Sequence, residues 1–426
     1  MLSPADADLA RRDPAIPGLA TVLDPDAFLA ALRQVTPAAD LRAAHLTSVR
    51  YKPHTYCRLS YRLRVGEAEL DAGVRASRLE DFAECLKDLE TASVPGALGP
   101  GQIAMADCVW VTVFPNDLKI EALPRLAGAA ERNGLLKELL PDRPKLWRAD
   151  LRCVRYRPEL RYVAELRAAG ESRALLKAYN GKGYRRGKRN AQGFQSRGAL
   201  RVARLIGCLD DHRLLAFEWL PGGLLFDLWT APAFDCKATA DTGAALAALH
   251  VQDPPGLDCL TRETEVAEML SLSDEIGFLC PRLARRTDAL ARRLAARLAD
   301  APVMRQPVHS DFSGKQVLVD GTNVAIIDLD CACRGDPADD LGNFIAQAER
   351  FALREVLTPS RVDSLREALL EGYARATNQP PPQRVGLYTT VGLFRRARSA
   401  FRLREPDWPQ RTESLLERAE AVRTAN

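Results

Sequence analysis

The feature that most constrains the fold is a change of hydrophobic period at Pro221-Gly222-Gly223. Before it, apolar and polar residues alternate over short runs such as 56–65, 162–168 and 173–179, the period of half-buried β-strands. After it, the text turns Ala- and Leu-rich with helical spacing (Ala244, Ala245, Ala248, Leu249), interrupted by a strand pair at 316–319 and 324–329 joined through Asp320-Gly321-Thr322-Asn323. A Pro-Gly-Gly between two such regimes is a stop and a hinge. The pattern predicts an α+β chain with a small antiparallel-sheet lobe, a hinge, and a helical lobe carrying one β-hairpin.

The sheet text occurs twice. Val49-Arg50-Tyr51-Lys52-Pro53 returns as Val154-Arg155-Tyr156-Arg157-Pro158, and each copy continues with an alternating run, a Gly-Glu pair (Gly66-Glu67, Gly170-Glu171) and another apolar run. Any hairpin with a proline turn carries this pattern, so duplication and coincidence both stand open. The expected division is an N-terminal α+β cap over 1–140 that repeats the sheet lobe in degenerate form, the sheet lobe over 141–222, and the helical lobe over 223–426. The third strand of the second copy carries Lys177, whereas the first copy reads Leu70-Asp71-Ala72-Gly73-Val74 without a lysine. If one copy handles an anion, it is the second. Residues 190–205 show helical spacing (Phe194, Leu200, Val202, Leu205), followed by a short strand at 213–219.

Composition narrows the classes. With 426 residues the chain can bury a large core, and 46% hydrophobic with 27% charged residues excludes collagen-like, disordered and membrane-spanning classes. A net charge of +4 gives no argument for a nucleic-acid or membrane partner. Eight cations between Lys182 and Arg204 without an acid read as a solvated face. The glycines at 181, 183 and 187 before Lys188 fail the spacing of a phosphate-binding P-loop. Ten scattered cysteines without a CxxC pair read as reduced thiols. The first twenty residues lack a basic stretch followed by an apolar one, so a cytoplasmic location is expected.

The chemistry concentrates between His309 and Asp340, in His309-Ser310-Asp311-Phe312-Ser313-Gly314-Lys315-Gln316, the hairpin, Ile327-Asp328, and Gly335-Asp336-Pro337-Ala338-Asp339-Asp340-Leu341. The hairpin folds a strand back so that a carboxylate and an amide meet another carboxylate at its end. Such an oxygen set suits Mg²⁺, which takes one or two carboxylates plus substrate phosphates. A carboxylate left off the metal can orient an attacking hydroxyl and accept its proton.

This ordered set resembles the aminoglycoside phosphotransferase and choline kinase family, small-molecule kinases with a protein-kinase-like fold, over roughly residues 150–426. The resemblance implies Asp311 as catalytic base, with Asp328 and Gln316 as Mg²⁺ ligands. It implies Lys177 on the α- and β-phosphates, backbone around Glu218 and Leu220 at the purine edge, and the turn beginning at Arg157 over the phosphates. His309 and Asp336 would hold the catalytic loop. ATP or GTP is the implied co-substrate and a small-molecule hydroxyl the implied acceptor. Three positions depart from the family: Gln316 stands where it has Asn, Ser310 where it commonly has Gly, and no Asp or Glu occurs between Ala178 and Leu209 to pair with Lys177. Residues 350–426 hold 14 Arg against 9 Asp and Glu, which favours a neutral or anionic acceptor over a polycation. The departures leave a pseudokinase as the alternative; a protein kinase is a second, disfavoured by the missing Ala-Pro-Glu signature.

Overall fold

In the computed structural model, which describes residues 2–87, 94–99, 101–168 and 173–424, the N-terminal half folds into two five-stranded sheets. The first comprises Leu41–Lys52, Tyr56–Val65, Ala68–Ser77, Gln102–Met105 and Val109–Val113. The second comprises Asp150–Arg157, Arg161–Arg167, Arg173–Tyr179, Leu205–Leu209 and Leu214–Glu218. In both the spatial order is first, second, third, fifth, fourth. The Gly170-Glu171 pair lies outside the described residues.

Finer detail repeats too. Helices Leu19–Leu23 and Pro25–Val35 precede the first sheet, and helices Leu123–Ala127 and Ala129–Leu139, of the same lengths, precede the second. In each copy the first turn closes over three residues, between Lys52 and Tyr56 or between Arg157 and Arg161. Its middle residue is left-handed, His54 at φ 57° and Glu159 at φ 61°. One Asp pins each turn: Asp13 accepts from the Tyr51 hydroxyl (2.6 Å) and the His54 amide (3.0 Å), Asp117 from the Tyr156 hydroxyl (2.7 Å) and the Glu159 amide (2.8 Å). The two halves thus share helix lengths, strand order and the Asp that pins the turn. Asp117 and both helices after it, all before residue 140, go with the second sheet. Their apolar faces, including Leu123, Leu135, Leu136 and Leu139, form one core with Leu166, Leu176 and Leu214 of the second sheet. Both sheets fall in one compact unit, residues 1–184, 206–217 and 400–409.

The second unit, residues 185–205, 218–399 and 410–426, is largely helical. Gly222 enters it at φ 109°, where a Cβ would lie 2.5 Å from the Val319 carbonyl, so the chain turns there only as glycine. The hairpin Val317–Asp320 with Asn323–Ile326 pairs Gly223 and Leu224 on one side and, in parallel, Leu200–Arg201 on the other. Helix Pro337–Ala352 is buried along almost its whole length and packs against helices Pro359–Thr377 and Val385–Arg396.

The helix expected over 190–205 lies earlier, at Gly181–Gly193. Asn180 starts it by accepting from the Gly183 amide at 2.8 Å, despite four glycines. Residues 194–205 are irregular apart from Leu200–Arg201, and their apolar spacing reflects burial of Phe194, Leu200 and Val202 one by one. Five of the eight cations of this stretch, Lys182, Arg185, Arg197, Arg201 and Arg204, are exposed, as a solvated face requires, while half-buried Arg189 pairs with Asp258 at 2.9 Å and half-buried Arg186 reaches the Cys331 sulfur at 3.5 Å. The described cysteines are all free thiols, and none of the described helices is long and apolar enough to cross a membrane.

Candidate active site

The loop that carries His309 and Asp311 leaves strand Gln306–Val308 and is held by one buried carboxylate. Asp340, fully buried in helix Pro337–Ala352, accepts from the His309 amide (2.7 Å), the Ser310 amide (2.8 Å) and His250 Nε2 (3.0 Å). His250 Nδ1 in turn meets the Tyr373 hydroxyl at 3.0 Å. His309 is fully buried, with Nε2 2.9 Å from the Ile327 carbonyl and Nδ1 3.3 Å from the Asp311 amide. These partners assign the proton to Nε2, because a carbonyl only accepts and an amide only donates. His309 thus spans the loop on one side and the strand leading to Asp328 on the other.

Asp311 is exposed, and among the described residues its carboxylate makes no hydrogen bond or ion pair. Phe312, fully buried, stacks on Phe344 and roots the loop, while its carbonyl accepts from Asn343 at 2.8 Å. Arg396, which also bonds Asn343 at 2.6 Å, is depressed to about 10 by burial, with Asp311 the neighbouring charge that opposes the shift.

The hairpin sets the backbones of Gln316 and Asp328 near one another: Val317 pairs with Ile326, and the Ile327 amide donates to the Gln316 backbone carbonyl at 2.9 Å, one residue before Asp328. Asp328 takes the left-handed conformation, φ 65°, that Asp tolerates better than most residues. The Gln316 amide oxygen accepts from the Ser313 hydroxyl. Among the described residues no three His, Cys, Asp or Glu form a metal cage. An amide and a carboxylate at adjacent rungs are all-oxygen donors and fit Mg²⁺, which completes its shell with phosphate and water oxygens.

Asp336 caps helix Pro337–Ala352 through the Ala338 amide (3.0 Å) and is paired by Arg384 (2.7 Å) and Arg262 (3.5 Å). Its support reaches the loop through the helix; the residue that touches the loop is Asp340, four positions later and unassigned by the motif reading. Asn190, 1% exposed, was also missed: its amide donates to the carbonyls of Leu329 and Ala332, both at 3.0 Å, just after Asp328. The signal was one of two amide side chains, with Gln192, in a helix without an acid. Gln192 and Gln195 are exposed.

A cavity of about 770 Å³ in this unit is lined by Ala247, His250, Asp336, Tyr373 and Arg384, among others. Asp311, Gln316 and Asp328 are not in its wall.

In the first unit Lys177 is 6% exposed on the third strand of the second sheet, its ammonium 5.4 Å from the Phe217 ring. Arg157 opens the turn, where its carbonyl accepts from the Leu160 amide at 3.0 Å. In the second unit the Glu218 amide and carboxylate both engage Arg204 backbone, at 3.0 Å each, and Leu220 follows in the segment leading to Gly222.

Residues 166–388, just over half of the chain, match the family model described as the phosphotransferase enzyme family. The chain belongs to that family. It is a phosphotransferase with an α+β fold, as the motif order implied. Among solved structures it is similar to a thermostable mutant of aminoglycoside phosphotransferase APH(4)-Ia in complex with ADP and hygromycin B (17% identity, 68% of this chain and 97% of that one, TM-score 0.49). It is also similar to choline kinase from Cryptosporidium parvum Iowa II (10%, 69% and 94%, 0.48) and to macrolide 2'-phosphotransferase MphH from Brachybacterium faecium (19%, 63% and 93%, 0.42). None of the curated proteins matches the chain.

Proposed function

We propose that this phosphotransferase moves the γ-phosphoryl group of ATP or GTP, with Mg²⁺, onto a hydroxyl of a small sugar-like or natural-product acceptor. The observation that carries the reading is Asp311: an exposed carboxylate without hydrogen bonds on a loop whose other polar groups are bonded. Such a group is available to accept a hydrogen bond from an acceptor hydroxyl and take its proton as the new P–O bond forms. Asp328 and Gln316 would hold Mg²⁺, which supplies charge neutralisation between the phosphates. Lys177 and the turn from Arg157 would bind the phosphates, and backbone at Glu218 and Leu220 the base. Positioning and charge supply most of the rate in a loose transition state. The chain's location is proposed as cytoplasmic, where the nucleotide is abundant.

The Ser313 contact on Gln316 favours a second reading, a nucleotide-binding pseudokinase, because that hydroxyl competes with metal for the amide oxygen. One experiment separates them. Purified protein is incubated with ATP or GTP, with and without Mg²⁺, against pooled sugars, amino alcohols and antibiotics, and products are read by mass shift. The kinase reading expects a Mg²⁺-dependent phosphorylated product that Asp311→Ala lowers by at least about a hundredfold. Nucleotide binding without product in any pool supports the pseudokinase, and no nucleotide binding overturns both.

A further inference from the structure

The shared layout lets the two sheets be compared rung by rung. Counting from the turn, Arg161 pairs with Tyr179, Tyr162 with Ala178 and Val163 with Lys177 in the second sheet. In the first, Tyr56 pairs with Ser77, Cys57 with Ala76 and Arg58 with Arg75. Arg75 therefore occupies the rung of Lys177, so the first copy, which has no lysine there, still carries a cation at that position. Its cross-strand neighbour is Arg58 where the second copy has the apolar Val163.

What these guanidiniums face is not solvent. The turn of the second copy lies on the first sheet, with Pro158 so close to Gly73 that a Cβ there would come within 2.9 Å of the proline Cβ. At the apex of that turn Glu159, 6% exposed, places Oε2 3.3 Å from Arg58, 3.6 Å from Arg75 and 3.9 Å from the Lys119 ammonium. The Tyr56 ring packs against both arginines, 4.4 and 5.4 Å from ring centre to guanidinium carbon. Asp117 also faces the turn, but its oxygens are engaged by the amides of Lys119, Ile120 and Glu159 and by Tyr156. Three cations thus converge on one buried carboxylate, and Glu159 Oε2 and the Nε atoms of Arg58 and Arg75 make no hydrogen bond. A purine would find Arg58 in place of an apolar wall; a tetrahedral or planar oxyanion finds converging donors.

We infer that the first copy carries an oxyanion site at the rung of Lys177, and that this chain fills it from within. The occupant is the Glu159 carboxylate, so the first copy serves as a latch that positions the turn over the nucleotide phosphates. The positioning half rests on the proposed nucleotide reading; the oxyanion half does not. Glu159 is a positioning residue that acts through the turn, and its φ of 61° makes glycine the replacement the backbone accepts best.

Two readouts test the inference on the full chain. Glu159→Gly vacates the cradle, and its melting temperature is measured in inorganic phosphate and in chloride at matched ionic strength. Phosphate raises it by several degrees, has no such effect on the wild type, and loses the effect in E159G/R75M. Equal responses in E159G and E159G/R75M, or none in either, overturn the site. Titration of nucleotide against Glu159→Gln, which keeps the shape and loses the charge, gives affinity weaker by about tenfold than the wild type. Unchanged affinity in E159Q overturns the latch. If the wild type binds no nucleotide, the proposed function and the latch fail together, and the melting comparison still decides the oxyanion site.

Discussion

Ser310 shows how much the loop invests in aiming one carboxylate. It sits at φ 67°, where a side chain costs about 1 kcal/mol or more relative to ordinary backbone, yet its amide is held by Asp340 at 2.8 Å. The two amides bonded to Asp340 are successive, so the backbone must turn sharply before Asp311 faces outward. The hydroxyl adds a contact to Cys333, whose thiol burial pushes up to about 12 and Ser310 pulls back. Ser310→Gly removes the strain and the contact together, and its stability in urea is expected within about 1 kcal/mol of wild type. Ser310→Val, β-branched in a region such residues avoid, loses about 2 kcal/mol or more, and its turnover falls further than its nucleotide affinity. Equal stability of the two variants would show that the loop relaxes out of this conformation.

At the scale of elements, helix Pro337–Ala352 bears the most conflicting demands. It is buried along almost its whole length yet carries Asp339, Asp340, Glu349 and Arg350, all under 9% exposed. Asp340 is satisfied by the loop, and Glu349 by Arg418 at 2.7 Å. Asp339 bonds Arg395 at 2.6 Å, but burial outweighs that cation and raises its carboxyl to about 6. The folded state then binds this proton more tightly than the unfolded chain does. The contribution of Asp339 is most favourable below about pH 4, declines as pH rises through 6, and totals about 3 kcal/mol at most. The wild-type melting temperature minus that of Asp339→Asn should fall by several degrees from pH 4 to pH 7; a constant difference would place the carboxyl back in its ordinary range. Legibility also differed between elements. The hairpin around Gln316 and Asp328 was readable because alternation and a two-residue turn are local properties. Helix Gly181–Gly193 was not, since its four glycines and many cations lack an apolar stripe, and what fixes it is the Asn180 cap and the distant carbonyls that Asn190 meets. Asp340 was hidden for the same reason: its partners lie 30 and 90 residues away.

For the whole molecule, the repeat decides where the chain can be divided. A cut at 140 looks natural from Pro141, but Leu123, Leu126, Leu135, Leu136, Leu139 and Leu140 pack on the second sheet and are each at most 2% exposed. Burial of each such leucine is worth about 2 kcal/mol, so removing six withdraws about 12, comparable to the 5–15 that hold a domain together. Removal of residues 1–116 spares this core and also spares Asp117, which pins the Glu159 turn at 2.8 Å. A chain of residues 117–426 is therefore expected to melt cooperatively, and one of residues 141–426 to show no transition by calorimetry. The shorter cut also isolates the latch, because Lys119, Asp117 and Glu159 remain while Arg58 and Arg75 are gone. If the first copy only shields the second, nucleotide affinity of 117–426 should match the full chain. If it positions the turn, affinity should drop as it does in E159Q, and adding E159Q to the shortened chain should change nothing further, since a carboxylate without its cradle has no more to lose.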